Sequence, residues 1–141
     1  MHKLSLSVTL FILMLGTLTA QSAILGRWLS AEGNAQIEIY QTGEKYFGKI
    51  VWMEEPYDEE GNLKLDKENP ESNLRSEPIL NSVILRDFTY KNEQWKGGTI
   101  YDPESGKTYS SKMWLVGNDT LKLRGYWGFL YRTSQWTRVT E

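Results

Sequence analysis

The chain has 141 residues and a formal net charge of −2, with no cysteine and a single histidine, His2. Once a leader is removed that is room for one domain with one core, and a mildly acidic domain does not attract phosphate backbones, which excludes nucleic acid as a partner class. A mature chain without His or Cys cannot carry a Ser-His-Asp triad, a Cys-His dyad or a thiolate or imidazole zinc site, so any enzyme chemistry would run on carboxylates, Lys, Tyr or Ser.

The first element in chain order is a secretory signal peptide over residues 1–20. Lys3 supplies a positive start, Leu4 to Leu18 is almost wholly apolar or small, and small residues follow at Ala20, Ser22 and Ala23. Cleavage is expected near 20–23. Lys3 is the only Lys or Arg before Arg27 and no acid precedes Glu32, so cleavage moves the net charge from −2 to −3. The run is too short to span a bilayer, no later segment qualifies, and no cysteine is present for lipid attachment. The expected mature protein is therefore periplasmic or secreted, without a membrane span and not a lipoprotein. It must be held together by packing alone, for which six Trp and eight Tyr provide the means.

After the leader, strand-like segments recur between turn signals and no long 3.6-residue period appears. Eight strands are predicted, at 26–30, 35–41, 45–53, 82–90, 94–101, 107–116, 119–125 and 132–139. Ile37 and Ile39 alternate with polar neighbours, as do Leu121 and Leu123, and all four prolines fall between strands. Short turns are read at 42–44, 91–93 and 117–118. The stretch 54–81 is far longer than an ordinary connection, which marks a lid, a binding loop or a helical insert. Within it Asn69-Pro70 reads as an N-cap followed by Pro at N1, with one helical turn over Glu71 to Arg75. Asp102-Pro103-Glu104-Ser105-Gly106 reads as the turn of a hairpin.

The fold class that follows is all-β: a single small antiparallel up-and-down barrel of about eight strands. Alternating connections put the three short turns at one end and the loops 31–34, 54–81, 102–106 and 126–131 at the other. The same rule sets Trp28 and Arg138 near the short-turn end. Trp52, Trp114 and Met113 are candidates for the interior, which leaves open whether the barrel is hollow or filled.

The chain resembles the bacterial exported family DUF2147. The residues that carry the resemblance are Gly26-x-Trp28, Gly48-Lys49-Ile50-Val51, Asp66-x-x-Asn69-Pro70 with Leu74-Arg75, Gly98-x-Ile100-Tyr101-Asp102-Pro103, Gly106-Lys107-Thr108-Tyr109, Leu121-x-x-Arg124-Gly125-Tyr126 and Gln135-Trp136-Thr137-Arg138. They run in order through a domain over 24–141. The resemblance implies a lipocalin-like, calycin-type barrel in the cell envelope and supplies no established activity. Asn81-Ser82 and Tyr131 depart from the pattern where Gly is common.

Each candidate site has two readings. Trp28 with Arg138 is read as a structural seal, a guanidinium over an indole being worth about 1–2 kcal/mol when partly desolvated. Asp66, Asn69 and Arg75 form either a polar clamp over the mouth, with Arg75 holding a ligand's carboxylate or phosphate, or an anchor in which Arg75 pairs with Asp66 or Asp102. Asp102 caps its turn, or joins Asp66 as an acid–base pair of a hydrolase; Lys107 and Tyr109 flank it. Tyr126, Trp127, Phe129 and Tyr131 form an aromatic loop that either binds a ligand or partner or caps the core. The acidic run from Glu54 to Glu60 does not match an EF-hand and reads as a solvated face, and no cofactor is expected. The favoured function is a non-enzymatic module holding a small apolar or amphipathic ligand at the long-loop end. The alternatives are an envelope structural protein with a filled barrel and an envelope protein partner, and a carboxylate hydrolase.

Overall fold

The structure is a computed structural model that describes residues 20–140; of the predicted leader only Ala20 falls among them. Eight strands follow one another: β1 (Gly26–Leu29), β2 (Ala35–Thr42), β3 (Lys45–Met53), β4 (Val83–Lys91), β5 (Gln94–Asp102), β6 (Lys107–Val116), β7 (Thr120–Trp127) and β8 (Leu130–Arg138). Each pairs antiparallel with the next, and β8 returns to β1 through Trp28↔Arg138 and Leu29↔Thr137, closing the barrel.

Period-two alternation decides which side chains fill the bore. Ile37 and Ile39 of β2, Tyr46 and Ile50 of β3, Leu85 and Phe88 of β4, Trp95 of β5, Met113 of β6, Leu121 and Leu123 of β7 and Trp136 of β8 are all buried in one cluster with Trp28. The cluster leaves little room. A Cβ on Gly98 would lie 2.4 Å from the Phe88 ring, and one on Gly48 would lie 2.7 Å from Leu85 Cδ1. This part of the bore is a packed core, as barrels of about eight strands allow.

Two of the three interior candidates face outward. Trp114 stands opposite Lys122, with the Arg124 guanidinium 5.1 Å from its ring centroid. A register shift places Ile50 opposite Ile37 but Trp52 opposite Gln36, so the extra residue turns Trp52 out to 40% exposure. Met113 does lie inside.

The floor is built by the segment 20–25. Ile24 is fully buried and its carbonyl accepts the Trp28 indole N–H at 2.9 Å. The Gln21 carbonyl accepts the Tyr46 hydroxyl at 2.9 Å. Arg138 stacks 4.2 Å from the Trp28 ring centroid and donates to the carbonyls of Ala23, Leu25 and Asn118. The indole–guanidinium seal thus lies at the end of the tight 117–119 turn, as expected.

Three local expectations are corrected. The stretch 126–131 is not a loop. The strands continue through Tyr126↔Tyr131 and Trp127↔Leu130, leaving a two-residue turn that Gly128 permits with φ 63°. The helical turn is a 3₁₀ turn at Ser72–Leu74, entered through Glu71, and no side chain caps it. Asn69 instead accepts the Glu71 N–H on its side-chain oxygen at 2.9 Å, an Asx turn that precedes the helix.

Candidate functional site

The long connection is itself ordered by backbone bonds. Bridges join Tyr57 to Leu63 and Leu65 to Pro78, and Asp66 N–H donates to Glu77 O at 2.9 Å. Its anchor on the barrel is Gly106, whose φ of 72° suits the turn and whose missing side chain admits the Glu68 carbonyl. A Cβ there would lie 2.0 Å from that oxygen. The connection therefore reaches the rim at the β5–β6 turn, away from the tight turns.

Its Ile79 and Leu80 pack against the core, and another part of it faces the outer wall. Ile100 and Tyr109 share the inner face with Gly125, so their neighbours Tyr101 and Thr108 face outward. Both of those outward residues line a cleft of about 620 Å³ between the connection and the outer wall. Leu74, Pro78, Leu80 and Ile84 supply its apolar surface. Asp66, Asn69, Arg86, Thr99, Tyr101 and Thr108 are among its polar groups, with Glu71, Glu77, Asn81 and Ser82 along the connection.

Asp66 is the polar centre. Its carboxylate is buried to 6% exposure, with one oxygen accepting the Tyr101 hydroxyl at 2.7 Å and the other the Asn69 amide at 2.8 Å. Burial raises the Tyr101 hydroxyl, and its bond to Asp66 raises it further, to about 12. A carboxylate this buried is tolerable because both oxygens are satisfied.

The other predicted residues are dispersed. Arg75 does not pair with Asp66 or Asp102; it donates to the carbonyls of Asn69 at 2.7 Å and Pro70 at 3.3 Å, bracing the loop locally. Asp102 caps its turn, accepting the Glu104 N–H at 3.0 Å and the Ser105 hydroxyl at 2.7 Å. Lys107 and Tyr109 lie outside the cleft lining. Tyr109 packs edge-on to Trp127 with centroids 5.9 Å apart. Tyr126 borders a shallower hollow of about 450 Å³ on the outer wall with Lys96 and Lys112. Among the described residues no group of three acidic, His or Cys side chains gathers to hold a metal ion.

Sequence reasoning missed Tyr101, Thr99, Arg86 and Thr108. Tyr101 meets Asp66 across 35 residues of chain, so no local spacing announces the pair. Parity signals only Thr108, which alternates with Met113 on β6; Thr99 and Tyr101 share the parity of buried Trp95, and the register shift between Trp95 and Gly98 is what turns them outward.

The family model described as an uncharacterized protein conserved in bacteria, DUF2147, matches residues 26–138. A solved protein from the human pathogen Helicobacter pylori, described as belonging to the lipocalin family, superposes with a TM-score of 0.71 at 24% identity, over 84% of each chain. At that identity the likeness establishes the barrel fold alone. No curated protein matches the chain.

Proposed function

The chain belongs to the DUF2147 family, and from that premise and its lipocalin-like barrel we propose an exported, non-enzymatic module that holds a small apolar or amphipathic ligand beneath the 54–81 connection. The observation that carries this reading is the cleft of about 620 Å³, where apolar side chains and convergent polar groups meet, a combination that suits an amphipathic ligand. The core-packed bore moves that capacity from the barrel axis to its flank. Export rests on the charged and then apolar pattern of the leader.

The carboxylate chemistry of a hydrolase is disfavoured by the same bonds that order the site. Asp66 spends both oxygens on Tyr101 and Asn69, and Asp102 spends both on its own turn. Asp66 is buried besides, which holds it away from bulk water.

Titration of the mature protein with a dansyl-labelled medium-chain fatty acid tests the proposal. Saturable one-to-one binding is expected. Thr99→Trp, which places an indole in the cleft from a rigid strand, should weaken binding by at least about tenfold, about 1.4 kcal/mol. Unchanged affinity in a folded Thr99→Trp protein would sink the cleft as the site.

A further inference from the structure

The tip of the β7–β8 hairpin exposes apolar side chains that the cleft does not use. Phe129 is 95% exposed, Tyr131 58%, Leu130 50% and Trp127 46%. They occupy one two-residue turn and its flanks, held rigid by the pairs Trp127↔Leu130 and Tyr126↔Tyr131. A strand-mounted wedge of Trp, Phe, Leu and Tyr combines large apolar area with the ring types that favour a membrane–water boundary.

The charge beside that wedge has one sign. Strands β6, β7 and β8 contain six Lys or Arg and no Asp or Glu. The 54–81 connection, by contrast, holds nine acids against three bases. It leaves β3 and is anchored at the β5–β6 turn, two strands from the β7–β8 tip. By the alternation of these strands Lys112, Lys122 and Arg124 face outward, so the outer face beside the apolar tip carries cations alone.

The cations nearest the tip are positioned by neutral groups. The Arg124 guanidinium lies 4.2 Å from the Tyr131 ring centroid, and its Nε–H donates to the Thr133 hydroxyl at 2.8 Å. Lys112, opposite Arg124 in the β6–β7 register, sits 5.6 Å from the Trp114 ring centroid. Lys122 donates to the Gln135 amide oxygen at 2.8 Å. Ion pairs among the described residues link Lys49 to Glu38, Lys64 to Glu55 and Arg138 to Asp119, and of these cations only Arg138 lies on β6–β8, at the end of β8 away from the tip. The wall is thus ordered without a counter-charge of its own, and a surface of anionic headgroups would supply one.

We propose that the β7–β8 hairpin docks the protein on an anionic lipid surface, inserting Phe129 and its apolar neighbours at the interface while Arg124 and Lys112 face the headgroups. This docking does not rest on the cleft, and the two readings fail separately. A protein partner or a soluble polyanion would read the same wall differently, since neither needs a Phe that projects from the turn.

Co-sedimentation of the mature protein tests it, using vesicles of phosphatidylcholine alone and of phosphatidylcholine with about one quarter phosphatidylglycerol. Binding to the anionic vesicles is expected, falling steeply as salt shortens the screening length. Phe129→Ser with Leu130→Ser should lower the partition by at least about tenfold. Lys112→Gln with Arg124→Gln should lower it by about fivefold per charge and abolish the preference for phosphatidylglycerol. Both pairs should leave the fatty-acid titration of the cleft unchanged. Failure of the parent protein to sediment with anionic vesicles at low salt would overturn the proposal. So would unchanged sedimentation of the Phe129→Ser, Leu130→Ser variant, which alters only exposed side chains.

Discussion

Tyr101 and Arg138 show what a single side chain does here. Removing the Tyr101 hydroxyl leaves one oxygen of buried Asp66 without a donor, so Tyr101→Phe should cost about 1–3 kcal/mol in denaturant unfolding. The same bond sets a pH dependence. Because folding raises the hydroxyl from its ordinary 10.0 to about 12, folding favours the neutral phenol. The stabilisation is complete below about pH 10 and is lost as the pH climbs through about 12. Tyr46 is also raised, by burial, so absorbance titration should show late-ionising tyrosines of which one vanishes in Tyr101→Phe; an unaltered titration curve would contradict the assignment. Asn81 carries a different lesson. Its φ of 72° lies in the left-handed region that Asn tolerates, which gives the departure from a common Gly a backbone reason. Asn81→Val should therefore cost about 1–2 kcal/mol, and Asn81→Gly very little.

At the level of elements, the contact between the long connection and the β5–β6 turn deserves a direct test. In Gly106→Ala the new Cβ meets the Glu68 carbonyl and a left-handed φ together. The barrel strands do not depend on that contact. The variant should keep its barrel circular dichroism while limited proteolysis within 54–81 accelerates severalfold; equal proteolysis rates would show that the anchor lies elsewhere. Strand identities were legible in the chain because alternation and turn residues are local signals. The end of β7 was not. Tyr126-Trp127-Gly128-Phe129-Leu130-Tyr131 has no polar break, and only the cross-strand pairs show that the ladder runs to the turn. The helical turn falls within Glu71 to Arg75 as expected, but its entry was misread, because Asn and Pro serve an Asx turn as readily as an N-cap.

For the molecule as a whole, closure depends on a short seam. β1 has four residues, and it meets β8 through only two register pairs. The segment 20–25 compensates by accepting bonds from Trp28, Tyr46 and Arg138 on its carbonyls. A mature chain beginning at Gln21 should retain this floor. One beginning at Gly26 would strand those donors and should lose on the order of 3–5 kcal/mol, read as a lowered thermal midpoint. Equal midpoints for the two chains would show that the floor does not need the segment. Closure also separates functions: a packed floor, a lateral cleft under an acidic connection and a basic wall with an apolar tip.

The chain by itself determined the all-β class, the strand order and the Trp28–Arg138 seal, because alternation, turn chemistry and up-and-down connectivity are short-range properties with few global solutions. Its lack of cysteine also excluded thiol chemistry. The tertiary structure decided which face each aromatic took, that Asp66 answers to Tyr101, and that the long connection lies beside the barrel. Those outcomes turn on one-residue register shifts and on contacts between distant segments. A single extra residue at a bulge reverses a side chain's face, and no local pattern records it.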